Sequence, residues 1–182
     1  MSSGVKADTA SKVAAREGKD LIRPLRAPDR QAIQAILSET GFFSAEEIQI
    51  ALELVDIVLT RPEQMDYLIF CHETAGLVDG YYCVGPTPAT RGTYDLYWIA
   101  VAPARQGNGI GQSLNSHAEN LVGSMEGRLI IAETSSRDVY APTRGFYLKS
   151  GYAEVARIRD YYKVGDDLVV YGKYLTYNNK GG

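Results

Sequence analysis

The chain has 182 residues, enough for one domain with a full hydrophobic core, and its 45% hydrophobic and 23% charged content is ordinary for a globular protein. A formal charge of −3 argues against a nucleic-acid-binding surface and leaves room for a cationic partner. No apolar run is long enough to span a membrane and no signal-like segment opens the chain, so neither nucleic acid nor membrane is expected as a partner. Two cysteines and two histidines form no disulfide framework and no metal-ligand spacing, so no metal is expected and a cytoplasmic location is the default.

Met1–Lys19 is small, polar and charged and reads as a flexible tail, with one domain over 20–177 and a frayed end from Asn178. Leu21–Leu25 is a first strand. Pro28 suits the first turn of a helix that carries Ile33, Ile36 and Leu37 and stops at Gly41. Ser44-Ala45-Glu46-Glu47 has the form of a capping box and opens a second helix with Ile48, Leu52, Val55 and Leu59 on its apolar positions. Phe42 and Phe43, between these helices, suit a hydrophobic staple and a substrate contact equally. Tyr67–His72 and Leu77–Val84 form a hairpin about a turn at Glu73–Gly76, and a loop over 85–92 leads to a strand at Tyr94–Val101.

After Pro103 come Gln106-Gly107-Asn108-Gly109-Ile110-Gly111 and a helix with Ile110, Leu114, Ala118, Leu121 and Val122 at helical spacing. Arg128–Glu133 is a short apolar strand of the kind buried on both faces, and Thr134–Asp138 a polar loop. Thr143–Ser150 is a helix closed by Gly151 in a left-handed cap. Ala153–Tyr161 and Leu168–Tyr174 are the last strands, joined through Lys163–Asp167. The order β-α-α-β-β-β-α-β-α-β-β, with a hairpin at each end, predicts a single α/β domain with a mixed sheet.

A strand running into a glycine-rich turn that opens a helix is an anion-binding device, because the first helical N–H groups lack intrahelical acceptors and the helix dipole makes that end electropositive. Glycines there are expected to let the backbone approach the anion. The dinucleotide fingerprint needs its third glycine one residue later than Gly111, and the P-loop needs Lys and Ser or Thr where Gln112 and Ser113 stand. The pattern present is Q-x-x-G-x-G at Gln106, Gly109 and Gly111. It resembles the acyl-CoA pyrophosphate loop of the GNAT superfamily of N-acetyltransferases. A second landmark follows in order: Phe146-Tyr147-Leu148-Lys149-Ser150-Gly151-Tyr152 resembles the superfamily's F-Y-x-x-x-G-aromatic helix.

The resemblance covers about 20–174 and implies a mixed, mostly antiparallel central sheet of about seven strands with helices on both faces. It implies acetyl-CoA as co-substrate, no metal, and transfer to a primary amine of a small molecule by direct attack in a ternary complex. Gln106, Gly107, Asn108, Gly109, Ile110, Gly111 and Gln112 would hold the pyrophosphate. A backbone N–H among Ile99, Ala100 and Val101 would meet the oxyanion, where the superfamily splays this strand from its neighbour. Thr134, Ser135 and Phe146 would meet the cofactor arm, together with Tyr140 and Thr143, which stand where many relatives carry Asn and Ala. Tyr147 would protonate the departing thiolate.

Amine acetylation also needs a base, since an alkyl ammonium with a pKa of about 10 arrives charged. Asp95 is the first candidate: it lies eleven residues before Gln106, where some GNAT members carry a catalytic Glu. Alternation would set it on one face with Tyr97 and Ile99, opposite Leu96 and Trp98. An Asp tied to a neighbouring turn is the alternative, and Glu133 is the rival carboxylate. Arg105 and Arg144 are within sequence reach of a phosphate. Cys71 and His72 are adjacent on a strand, point to opposite faces and cannot be a nucleophile–base pair. A protein lysine or N-terminal acetyltransferase, and a non-catalytic acyl-CoA sensor, are alternative readings; a homodimer is open.

Overall fold

The computed structural model describes residues 20–175. The expected tails, Met1–Lys19 and the end from Asn178, lie outside the described residues. In chain order the elements are β1 (Leu21–Pro24), α1 (Asp29–Thr40), α2 (Ala45–Thr60), β2 (Leu68–Thr74), β3 (Leu77–Pro86), β4 (Thr93–Val101), α3 (Ile110–Ser124), β5 (Leu129–Ser135), α4 (Ala141–Lys149), β6 (Ala153–Lys163) and β7 (Asp166–Tyr174). Local signals account for the helix ends. Gly41 caps α1 at φ +68°, and the Ser44–Glu47 box is complete: Glu47 Oε2 accepts the Ser44 N–H at 2.7 Å and Ser44 Oγ accepts the Glu47 N–H at 3.2 Å. Gly151 closes the turn after α4 at φ +84°.

The seven strands make one sheet in the order β1-β2-β3-β4-β5-β7-β6, antiparallel throughout except where β4 meets β5. Helices cover both faces. Ile33, Leu37, Leu52 and Val55 of α1 and α2 pack on Ile69, Cys71, Tyr81 and Cys83. Leu114, Ala118 and Val122 of α3 and Tyr147 of α4 pack on Tyr82, Val84, Leu96 and Ile130. Strand β3 is therefore buried on both sides, with alternate residues feeding opposite clusters.

Four sequence expectations are corrected. The polar loop proposed for Thr134–Asp138 begins too early: β5 continues through Thr134 and Ser135, which are buried and pair with Val169 and Leu168 of β7. Strand β6 runs on to Lys163, so its link to β7 shrinks to Val164 and Gly165, with Gly165 at φ +80°. The turn of the β2–β3 hairpin tightens to Ala75 and Gly76, both at positive φ.

The fourth correction bears on the site. Cys83 pairs with Trp98 and Val84 with Leu96, so Tyr97 is an extra residue in β4. Such a bulge breaks alternation. Leu96 and Ile99 thus pack with the α3 cluster while Trp98 packs with the α1–α2 cluster, and the expected grouping of Asp95 with Ile99 against Leu96 and Trp98 does not hold.

Candidate active site

Three features of the chain meet where β4 ends. The first is the glycine turn. Gly107 and Gly109 sit at φ +79° and +81°, and a Cβ at either would meet nothing within 4 Å. Glycine is called for there by backbone conformation, not by crowding from the protein. Gly111 differs: a Cβ there would make ordinary contact with the Phe146 ring at 3.4 Å. The first α3 hydrogen bond runs from Ser113 N to Gly109 O, and Gly109 brings no side-chain cap. The N–H groups of Ile110, Gly111 and Gln112 are thereby left without intrahelical acceptors at the positive end of a 15-residue helix. Gln106 folds its amide back onto the Val101 carbonyl at 3.1 Å. Asn108 stands apart from the other predicted loop residues: it does not line the cleft but ties the turn together through the Arg105 and Gln106 carbonyls.

The second feature is a split in the sheet. Strands β4 and β5 pair only over Thr93–Asp95 and Leu129–Ile131. Beyond that point β4 stays with β3 as far as Val101, and β5 stays with β7 as far as Ser135. The two strands therefore lose each other while remaining anchored on their outer sides, and the inward-facing N–H and C=O groups of β4 have no ladder partner. The split opens into a cleft of about 940 Å³. Ile99, Ala100 and Val101 form one lip and Thr134 and Ser135 the other, with Gln106, Gly107, Gly109, Ile110, Gly111 and Gln112 at one end. Tyr140, Thr143, Phe146 and Tyr147 close the side formed by α4 and the turn before it.

The third feature is the set of ionisable and aromatic side chains. Glu133 lines the cleft from β5, and partial burial, followed by the neighbouring Asp95 charge, pushes its carboxyl above the usual range. Asp95 does not line the large cleft. Its carboxylate accepts the Thr87 hydroxyl at 2.8 Å, and with Glu133 and Tyr97 it borders a smaller cavity of about 220 Å³. Tyr147 is 4% exposed, packed against Phe146, Tyr152 and Tyr171, and burial pushes its phenol well above the usual value, so it is protonated at neutral pH.

Aromatic residues wall the end of the cleft away from the glycine turn. Phe43 meets Trp98 edge-on with 5.1 Å between centroids, and the Phe42 carbonyl accepts the Tyr140 hydroxyl at 3.2 Å. Phe43, like Ile48, also packs against the α1–α2 core, so it has a structural role as well as forming a wall of the cleft. Tyr97, Trp98, Tyr162 and Glu47 complete this end. Tyr162 falls in the 161–167 stretch that sequence assigns to the substrate groove; Tyr97, Trp98 and Glu47 were not marked as candidates by sequence. Tyr97 owes its place to a bulge, which carries no local signal.

Two other expectations are resolved. Arg144 donates from Nη1 to the Ser135 and Arg137 carbonyls, both at 2.8 Å, and does not line the cleft, whereas Arg105 does. Cys71 is fully buried beside Asp29, its thiol pushed up to about 12 by burial, while His72 pairs with Asp79; the two form no catalytic pair. Among the described residues no cluster of His, Cys, Asp and Glu could hold a metal ion, and no helix is long and apolar enough to cross a membrane.

Residues 65–154 match the family described as acetyltransferase (GNAT) domain. A solved GNAT-family protein from Desulfovibrio desulfuricans is 40% identical over 87% of this chain and 100% of its own, with a TM-score of 0.84. The chain belongs to the GNAT family of acetyltransferases. More distant structures share the fold of this acetyltransferase. The yncA protein of Salmonella typhimurium, solved with its cofactor acetyl-CoA, is 19% identical with a TM-score of 0.69, covering 90% of this chain and 98% of its own. The ribosomal-protein-alanine N-acetyltransferase of Brucella melitensis is 20% identical with a TM-score of 0.68, covering 85% and 99%. No curated protein matches the acetyltransferase in sequence.

Proposed function

We propose that this acetyltransferase moves the acetyl group of acetyl-CoA to the primary amine of a small molecule, by direct attack within a ternary complex. The observation that carries this reading is the coincidence of the sheet split with the glycine turn, with Glu133 and Tyr147 facing the same cleft. Free helical N–H groups at Ile110–Gln112 suit a pyrophosphate, and the β4 backbone groups along Ile99–Val101 that β5 leaves without a ladder partner suit an amide-bearing arm. Bound there, acetyl-CoA supplies a thioester carbonyl as the electrophile.

Each remaining demand of the reaction finds a group of the chain. The Glu133 carboxylate takes the proton of the incoming ammonium, and its raised pKa makes it a better base than an ordinary Glu. A backbone N–H of β4 in the Ile99–Val101 stretch donates to the oxyanion without reorganising, because it already lacks a partner. The Tyr147 hydroxyl donates to the leaving sulfur. Burial raises its pKa, but the same dry surroundings raise that of the thiol, so proton transfer between them stays feasible. Asp95 acts on Glu133 through its charge and does not touch the substrate. The aromatic end formed by Phe42, Phe43, Trp98 and Tyr162 supports a compact acceptor with an apolar body. Two buried free thiols, Cys71 and Cys83, support a reducing compartment.

Calorimetric titration with acetyl-CoA and with free CoA, followed by a thiol-release screen of small amines and of peptides with free lysines or N-termini, tests the reading. Micromolar binding and thiol release with a small amine is expected. Binding without release would leave a sensor, and release with peptides alone would move the substrate to protein.

A further inference from the structure

A second bulge lies on the far side of the glycine turn, in the β2–β3 hairpin. His72 pairs with Gly80 and Glu73 with Val78, which makes Asp79 an extra residue in β3 and frees its side chain from strand alternation. Asp79 is buried, and its polar atoms are directed to particular partners. Its Oδ1 lies 2.6 Å from Nδ1 of buried His72, its Oδ2 accepts from Arg105 Nε at 3.2 Å, and its carbonyl accepts the Ala102 N–H at 2.9 Å. One residue thus grips both the end of β4 and the side chain that immediately precedes Gln106.

Arg105 is the outer member of this chain of contacts. It belongs to the short 3-10 turn Pro103–Arg105, lines the cleft beside Gln106 and Gly107, and leaves 44% of its side chain exposed. Nε is held by Asp79, and one Nη2 hydrogen goes to Thr74 Oγ1 at 3.2 Å. Among the described residues no acceptor meets Nη1. The guanidinium is planar, so fixing Nε and Nη2 also fixes where the remaining donors point. A carboxylate buried behind an anion site would repel the anion if it stood alone. Paired with His72 on one side and Arg105 on the other, it becomes the seat of a cation instead.

We propose that Arg105 contacts the phosphates of the cofactor, and that Asp79, seated on His72, is the positioning residue that holds the guanidinium there. This rests on acetyl-CoA being the cofactor. It adds to the backbone donors of the glycine turn one side-chain donor assembled from three elements, at a position that lines the cleft where Arg144 does not.

The test compares CoA with pantetheine, which shares the thiol arm but lacks the pyrophosphate and nucleotide. Dissociation constants are measured calorimetrically for the wild type, R105Q, D79N and the double variant. R105Q, at an exposed side chain that leaves the fold intact, is expected to weaken CoA about tenfold and so narrow its advantage over pantetheine by that factor. D79N is expected to narrow the same ratio, and the double variant to go no further than R105Q alone, because Asp79 works through Arg105. A general packing defect would instead weaken both ligands and add to the R105Q loss. An unchanged ratio in R105Q, with wild-type CoA binding intact, overturns the proposal alone. Additive losses overturn the role of Asp79, and if D79N does not fold, H72Q replaces it in the cycle. A wild-type protein that binds neither CoA nor acetyl-CoA overturns the cofactor reading as well.

Discussion

The two ends of the cleft are made of different parts of the polypeptide. At the glycine turn the ligand-facing groups are mostly backbone: N–H groups freed by the start of α3, positioned by two left-handed glycines and a strand end within one stretch of chain. At the aromatic end they are side chains from separate segments, among them the α1–α2 connection, the bulged middle of β4, Glu133 of β5 and the β6–β7 hairpin. A backbone site binds what every family member shares and tolerates changes in side chains around it. A side-chain site can be rebuilt residue by residue.

The largest expected effect would strike the backbone end. Gly109→Val forces a β-branched residue to φ +81°, at a strain of about 1–2 kcal/mol that the whole domain can absorb, since a Cβ there meets nothing within 4 Å. Calorimetry should show CoA affinity reduced at least about a hundredfold while circular dichroism stays native. Normal CoA binding by this folded variant would remove the turn from the site.

Next comes the base. Glu133→Gln should lower kcat/KM about a hundredfold with the amine found in the screen, leaving CoA affinity within about twofold. The pH profile carries the sign. The base works when deprotonated, so activity rises with pH through the Glu133 pKa, and its raised value sets that rise above the usual Glu range. A variant that keeps the same acid limb would show that another group titrates. Tyr147→Phe should reduce kcat about tenfold or more, with the CoA dissociation constant nearly unchanged; full turnover would take the hydroxyl out of the mechanism.

Smaller effects should separate the two ends most cleanly. Phe42→Ala removes wall area at the acceptor end alone, so the amine KM should rise by about three- to tenfold with CoA affinity unaffected. An equal loss for both ligands would mean that the two ends are not independent. The smallest change is Asp95→Asn. Removing a negative charge beside Glu133 should move the acid limb of kcat/KM to lower pH by a fraction of a unit, because Asp95 raises the Glu133 pKa. A limb that stays in place would mean Glu133 is raised by burial alone.

Much of this acetyltransferase is legible in its residues one after another. The Ser44–Glu47 box, the helix stop at Gly41, the left-handed cap at Gly151, and the spacing of Ile110, Leu114, Ala118 and Val122 depend on backbone dihedrals and helical period, which a few neighbouring residues dictate. That is why the element order and the glycine turn can be read without coordinates. Other features required the folded chain. No run of sequence announces that Tyr97 and Asp79 are the inserted residues of two bulges, because a bulge is a mismatch between two strands and belongs to neither. The same holds for the meeting of Arg105 with a carboxylate 26 positions away, while contact with Thr87 decides between the two readings that sequence left open for Asp95. Local propensity acts through the peptide backbone over a few residues, whereas register and side-chain pairing are set by contacts between distant segments competing to bury the same surface.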